Sequence, residues 1–164
     1  MSEAKPRRRS RSWLLRLMNL YPPFLGAGVR VRPGADLSSF DVRMKLAFWN
    51  RNYVGTQFGG SLYSMCDPFY MLILIEALGP GYLVWDKAAT IRFRRPGRGA
   101  VRAHFEIPPE RIAEIRAAAD RDGKVEPVLV ARILDEQGEL VAEVEKVLSV
   151  RRREEPRGPT EPGP

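Results

Sequence analysis

Asn50-Arg51-Asn52-Tyr53-Val54-Gly55-Thr56-Gln57-Phe58-Gly59-Gly60-Ser61-Leu62-Tyr63-Ser64-Met65-Cys66-Asp67-Pro68 holds the strongest fold signal in the chain. It starts as a loop rich in Asn and Gly, then passes through Gly59-Gly60 into a run, Ser61 to Leu78, that is apolar on nearly every face. A run of that kind predicts a buried helix, and Gly79-Pro80-Gly81 ends it. Glycine lets a ligand approach the backbone closely. The free N–H groups of a first helical turn, aided by the helix dipole, can polarise a carbonyl or hold an oxyanion. Asp67 follows Gly60 by seven residues, nearly two full turns at about 100° each, so a continuous helix would put both on one face. A carboxylate there can activate water or attack a carbonyl itself. Two plainer readings stand beside this one. Gly59-Gly60 can mark only a tight turn, and Asp67-Pro68 is also an N-cap signature that would start or restart the helix at Asp67. A kink at Pro68 lets both hold.

The flanks supply strands. Phe40, Val42, Met44, Leu46 and Phe48 alternate with Asp41, Arg43, Lys45, Ala47 and Trp49, a strand with one buried face. Leu83 to Phe93 alternates in the same way and is closed by Pro96-Gly97. Val101, Ala103, Phe105 and Ile107 form a third strand. Pro109 to Ala119 reads as a surface helix with Pro109 in its first turn and Ile112, Ile115 and Ala119 on one stripe. Val125 to Leu134 and Leu140 to Val150 are a last pair of strands joined at Glu136-Gln137-Gly138. Trp13 to Tyr21 predicts a short docking helix stopped by Pro22-Pro23. One long buried helix and about five mostly antiparallel strands make an α+β layout, a curved sheet wrapped around the helix. The expected organisation is a basic disordered tail over 1–12, one folded domain over 13–151 that includes the docking helix, and a Pro-rich disordered tail over 152–164.

Composition narrows the chemistry. The chain has 164 residues and 18.6 kDa, with 44% apolar and 29% charged residues, which fits one globular domain able to bury a core. The single cysteine, Cys66, excludes an internal disulfide and multi-cysteine metal sites, and the single histidine, His104, excludes two-histidine sites. Cys66 reads as a small core residue and His104 as a structural or exposed one, on the polar side of its strand. Ser61 and Ser64 lack an evident base. The net charge is +7, of which +4 falls in residues 1–12 and +1 in 151–164. With only +2 left for the body, no nucleic-acid partner is expected, and at most weak membrane-surface contact through the basic N-terminus. The longest apolar run, Met71 to Leu78, is interrupted by Glu76 and is too short for a membrane span. With no convincing signal segment either, a cytoplasmic location is expected.

The quoted stretch resembles the hotdog-fold acyl-CoA thioesterases of the phenylacetate-pathway (PaaI-like) type. Asn52, Gly55, Gly59, Gly60 and Asp67 fall at that pattern's spacings. Over roughly residues 13–151 the chain is more similar still to an uncharacterised bacterial hotdog branch, a domain of unknown function. The likeness there lies in Asn50 to Gly55, Phe58-Gly59-Gly60, Asp67-Pro68, Val84-Trp85-Asp86-Lys87 and Phe93-Arg94-Arg95-Pro96.

The resemblance implies a hotdog fold, a homodimer or dimer of dimers with sites at the subunit interface, and an acyl-CoA or fatty-acyl small molecule as ligand. It implies no cofactor apart from the coenzyme A moiety of the substrate, and no metal. In this scheme Gly59 and Gly60 polarise the thioester carbonyl, Asp67 is base or nucleophile, and Asn52 orients water or substrate. Phe58, Leu62, Trp85 and Phe93 would line an apolar cavity, while Arg94, Arg95 and Arg98 would meet the phosphates of coenzyme A. Single arginines here also read as a solvated strand end. Lys87, in the same alternating register as Trp85, Ala89, Ile91 and Phe93, would pair with Asp67 and lower its pKa, or else lie at an edge with its head in water. Phe58 stands where the thioesterases carry a histidine and cannot donate a hydrogen bond. That departure supports an alternative, a protein that binds acyl chains or acyl-CoA without hydrolysing them. A third reading is an accessory protein that uses its basic tail at a membrane surface or nucleic acid.

Overall fold

Apolar alternation sets the sheet. A computed structural model describes residues 17–34 and 36–153; the basic tail, the Pro-rich tail from residue 154 on and the first part of the docking helix expected from Trp13 lie outside the described residues, while Arg152, expected in the tail, ends the last strand by pairing with Tyr82. Among the described residues seven strands form one antiparallel sheet: β1 (Val29–Pro33), β2 (Ser39–Met44), β3 (Tyr82–Phe93), β4 (Val101–Glu106), β5 (Lys124–Val125), β6 (Val128–Asp135) and β7 (Leu140–Arg152). The order is β1-β2-β4-β6-β7-β3, and β5 pairs with β7. One face buries Val29 and Val31, then Phe40, Val42 and Met44, then Val101, Ala103 and Phe105, and Ala142, Val144, Leu148 and Val150. The helices are α1 (Pro22–Ala27), α2 (Gly59–Ser64), α3 (Phe69–Leu78) and α4 (Pro109–Asp122), preceded by a 3-10 turn, Leu17–Leu20.

Helix α3 lies on the buried face and fills the core. Its first residue, Phe69, stacks among Phe24, Phe40 and Phe105 at ring-centroid distances of 6.2, 5.2 and 4.8 Å. Tyr70 packs edge-on against Phe105 at 5.2 Å and donates its hydroxyl to the Val130 carbonyl at 2.8 Å. This is the α+β hotdog layout expected from the sequence. By length and composition Gly59–Leu78 has the makings of a membrane-crossing helix. Here Leu62, Phe69, Ile73, Leu74 and Leu78 are the core of the domain instead.

Four local features differ from the sequence expectation, each for a physical reason. The first alternating strand stops at Met44 rather than continuing to Trp49. Asn50 ends it: its amide donates to the carbonyls of Ala27 and Lys45, both at 2.8 Å, and accepts the Ala47 N–H at 2.7 Å. Those backbone groups are therefore unavailable to a ladder, and Phe48 and Trp49 lie exposed. Pro22-Pro23 begins α1 as well as ending the preceding turn, because the first turn of a helix needs no N–H donors. Strand β1 was not read from the sequence; Pro33-Gly34 leaves it too short for a strong alternation signal.

The fourth concerns the long helix. It is two helices with a break at residues 65–68. Pro68 lacks an N–H, and tight turns carry the chain across, with Cys66 N–H bonding the Tyr63 carbonyl and Asp67 N–H the Ser64 carbonyl. Pro68 itself occupies the N-cap position of α3, and no side chain caps it. Asp67 is therefore not the helix cap; its carboxylate is engaged elsewhere.

Candidate functional site

The break between α2 and α3 sets Asp67 outside both helices, its carboxylate half exposed. Tyr63 donates its hydroxyl to Asp67 Oδ1 at 2.9 Å. From the sheet side, Lys146 Nζ reaches the same oxygen at 3.1 Å and the Tyr63 hydroxyl at 3.3 Å. Lys146 Nζ also lies 3.1 Å from Asp86 Oδ1, and its ammonium sits 5.2 Å from the Tyr63 ring centroid. Lys146 is 0% exposed. One buried ammonium is thus held between two carboxylates and a phenol, and a single oxygen of Asp67 receives two donors.

The electrostatics follow from burial and pairing. Burial pushes the Lys146 ammonium down, but its contacts with Asp86 and Asp67 outweigh that, and its pKa lies above the ordinary lysine value. Burial raises Asp86, and Lys146 only partly opposes this. Burial, then the hydrogen bond to Asp67, raises Tyr63, which therefore stays a donor at neutral pH. Burial pushes the Cys66 thiol up to about 12, so this residue is an inert part of the core.

Of the two readings of Lys87, the edge lysine with its head in water holds, and Lys146 is the lysine that meets Asp67. Lys87 is exposed and pairs with Glu126. The cause is a β-bulge: the register runs Asp86 opposite Leu148, then Ala88 opposite Val147, which leaves Lys87 as the extra residue. One inserted residue exchanges the two faces of a strand. Val84 and Asp86 therefore share the inward face with Ala89, Ile91 and Phe93, while Trp85 turns outward and is exposed. Lys146 and Asp86 were missed. A signal for Lys146 was present, since it alternates in register with Ala142, Val144, Leu148 and Val150, all wholly buried. Asp86 carried no such signal, because strict alternation put it on the polar side.

The other predicted residues divide between two hollows on either side of the start of α2. One, of about 440 Å³, is lined by Asn52, Gly59, Leu62, Phe93, Arg94 and Arg95, among others. The second, of about 510 Å³, is lined by Phe58 and Gly60 together with Trp49 and Ser64. Arg98 lines neither of them. The Gly59-Gly60 turn is covered closely by rings. A Cβ at Gly59 would lie 2.9 Å from the Phe93 ring, and one at Gly60 would lie 2.5 Å from the Phe58 ring. Phe58 caps α2 without a side-chain hydrogen bond, and Leu62 N–H is the donor that returns to its carbonyl. The N–H groups of Gly59, Gly60 and Ser61 precede that first intrahelical bond.

Asn52 closes its own loop. It donates to Thr56 Oγ1 at 2.9 Å and accepts the Thr56 N–H at 2.9 Å. Arg95 pairs with Glu139 at 2.9 Å and Arg94 with Glu143 at 3.6 Å. Among the described residues no cluster of three or more His, Cys, Asp or Glu is placed to hold a metal ion.

Residues 10–150 match the family model for a domain of unknown function, DUF4442. The chain belongs to this family. No curated protein matches it. Among solved structures, this DUF4442 chain is similar to PA5026 of Pseudomonas aeruginosa, a protein of unknown function described as a probable thioesterase. The identity is 27% over 87% of this chain and 96% of that one, with a TM-score of 0.73. It is also similar to thioesterase HI1161 of Haemophilus influenzae, at 15% identity, 84% and 88% coverage and a TM-score of 0.61. A mutant form of thioesterase PA1618 of P. aeruginosa follows, at 12% identity, 92% and 98% coverage and a TM-score of 0.62. The last two establish the hotdog fold alone.

Proposed function

We propose that this DUF4442 protein hydrolyses an acyl-CoA thioester, with Asp67 as the reacting carboxylate. The observation that carries the reading is the Asp67 carboxylate, half exposed and fixed by Tyr63 and a buried ammonium, in a fold whose neighbour PA5026 is described as a probable thioesterase. Asp67 takes a proton from water as the water oxygen attacks the thioester carbonyl carbon. The tetrahedral oxyanion is stabilised by free N–H groups at the start of α2. Its collapse breaks the C–S bond, and coenzyme A leaves as a thiol with the proton that Asp67 returns. Lys146 and Tyr63 are positioning residues: they hold one carboxylate oxygen and leave the other for water.

A second copy completes the site in this proposal. Within one chain Gly60 lies in the first turn of α2 and Asp67 lies beyond its far end, in the break at residues 65–68. An attacking water and an oxyanion donor sit on opposite sides of one carbonyl, each within about 3 Å. Two copies joined as a homodimer along β3, the end strand of the sheet, would set one copy's carboxylate against the other's α2. Leu62 and Phe93 would supply apolar lining, and Arg94 and Arg95, which line the same hollow, would meet the phosphates of coenzyme A.

Phe58 favours a second reading. Its ring lies against Gly60 and offers no donor, so the same hollow suits an acyl chain held without turnover. Release of free thiol from short, medium, long-chain and aryl acyl-CoAs separates the two. Turnover that varies with chain length supports the hydrolase. Thermal stabilisation by an acyl-CoA without any thiol release supports the binding protein.

A further inference from the structure

Arginines collect on the outward face of the sheet, away from Asp67. Arg30 on β1 stands directly opposite Arg43 on β2, and Arg43 stands opposite Arg102 on β4. Arg32 and Arg132 join them around one hollow of about 650 Å³. All five are exposed. Like charges placed directly across strands destabilise a sheet, and nothing in the inward packing requires arginine at these positions. Two of them stand across from a carboxylate that is engaged elsewhere, Arg32 from Asp41 and Arg132 from Glu143, which pairs with Arg94. Arg43 meets Glu136 at 3.5 Å, and Arg30 donates only to the adjacent Val29 carbonyl at 3.4 Å. Among the described residues no carboxylate pairs with Arg32, Arg102 or Arg132. The acidic Asp41 is occupied by His104 Nδ1 at 2.8 Å, and Glu106 faces His104 Nε2 at 3.5 Å.

We propose that this outward hollow binds a small, multiply phosphorylated anion of nucleotide size. Guanidinium groups match phosphate oxygens in paired hydrogen bonds. The volume falls within the usual range for small-molecule sites, roughly 300–1,000 Å³. Val130, 47% exposed, and Leu134 give the hollow an apolar wall for the organic part of the ligand. A second copy stacked on this face through a two-fold axis would set the arginines against their own equivalents. An extended nucleic acid would need a continuing basic stripe; here Asp41 lines the hollow itself and Glu136 stands beside Arg43. The net charge of the body concealed it, because basic residues concentrate on one face.

Calorimetric titration with inorganic tripolyphosphate and with adenosine triphosphate tests the site. Saturable binding of one equivalent per chain is expected for the triphosphate nucleotide. Arg102→Ser and the double variant Arg32→Ser, Arg132→Ser should each weaken it at least tenfold. The unliganded melting temperature of Arg102→Ser at low salt should equal or exceed that of the wild type, since a like-charge neighbour is gone. Binding of tripolyphosphate as well places recognition in the phosphates; binding of the nucleotide alone adds the apolar wall, and both support the site. No saturable binding, or binding unchanged in both variants, overturns it. So does binding of a twenty-nucleotide single strand without either small anion, or a change in oligomeric state in the variants without anion binding.

Discussion

In the inward register of β7 the neighbours of Lys146 are Val144 and Leu148, both fully buried. A lysine there is tolerable only with its charge matched, and Asp67 and Asp86 match it. Replacing it by methionine keeps most of the volume but leaves two carboxylates facing each other. Breaking a buried pair costs about 3–5 kcal/mol; because Asp67 is half exposed, the lower end is expected for Lys146→Met. Urea unfolding measures it. Adding Asp86→Asn should recover part of the loss, and a strictly additive double variant would contradict the coupling.

His104 offers a second test at this scale, since it is the one histidine in the chain. Its hydrogen bond to Asp41 raises its pKa, and burial opposes this without cancelling it. Its stabilising contribution is full below the ordinary histidine value of about 6.5 and is lost as pH rises through the raised folded value. NMR titration should show Asp41→Asn bringing that pKa down. An unchanged midpoint would show that the Asp41 contact does not hold in solution.

At the scale of elements, the break between α2 and α3 and the bulge in β3 make the site. The break frees Asp67 from a helix, and the bulge turns Asp86 inward to meet Lys146. Deleting Lys87 would remove the extra residue and leave Asp86 opposite Leu148 and Ala88 opposite Val147, so that each side chain keeps its present face. The expected outcome is a folded protein that keeps Asp86 against Lys146, and Lys87→Ala, which removes only an exposed ion pair, should leave stability close to that of the wild type. Unfolding of the deletion variant, with Lys87→Ala unchanged, would contradict the register on either side of the bulge. Phe69→Ala, at the first residue of α3, should cost about 3–5 kcal/mol through the cavity left among Phe24, Phe40 and Phe105.

These elements also mark how far the sequence could be read. The strands at Phe40, Val101, Val128 and Leu140 and the helix at Pro109 were legible because apolar period and burial agree there. The break was half legible, through Pro68. The bulge was not, since an inserted residue leaves no trace in a one-dimensional alternation, and it carried Trp85 and Lys87 to the wrong face. The spacing of Asp67 to Gly60 supposed a continuous helix, which the break removes, and the partners of Asp67 depend on strands distant in sequence.

At the scale of the molecule, β3 ends the sheet with a long edge, and such an edge invites pairing with another chain. The proposed dimerisation along it should weaken when a proline is placed at Thr90, in the second half of the strand, and sedimentation should then show a shift toward monomer. Thioester hydrolysis should fall in step if a second copy completes the site. Full activity in a monomeric variant would remove the interface from the account.

In the proposed mechanism Asp67 does the chemistry, and steady-state thiol release from acyl-CoA by wild type and Asp67→Asn puts that role to the test. Asparagine keeps the shape and can still accept from Tyr63, but it cannot take a proton from water. A fall in kcat of at least a hundredfold, with a melting temperature within a few degrees of wild type, is the predicted result. Hydrolysis by Asp67→Asn at the wild-type rate would contradict it.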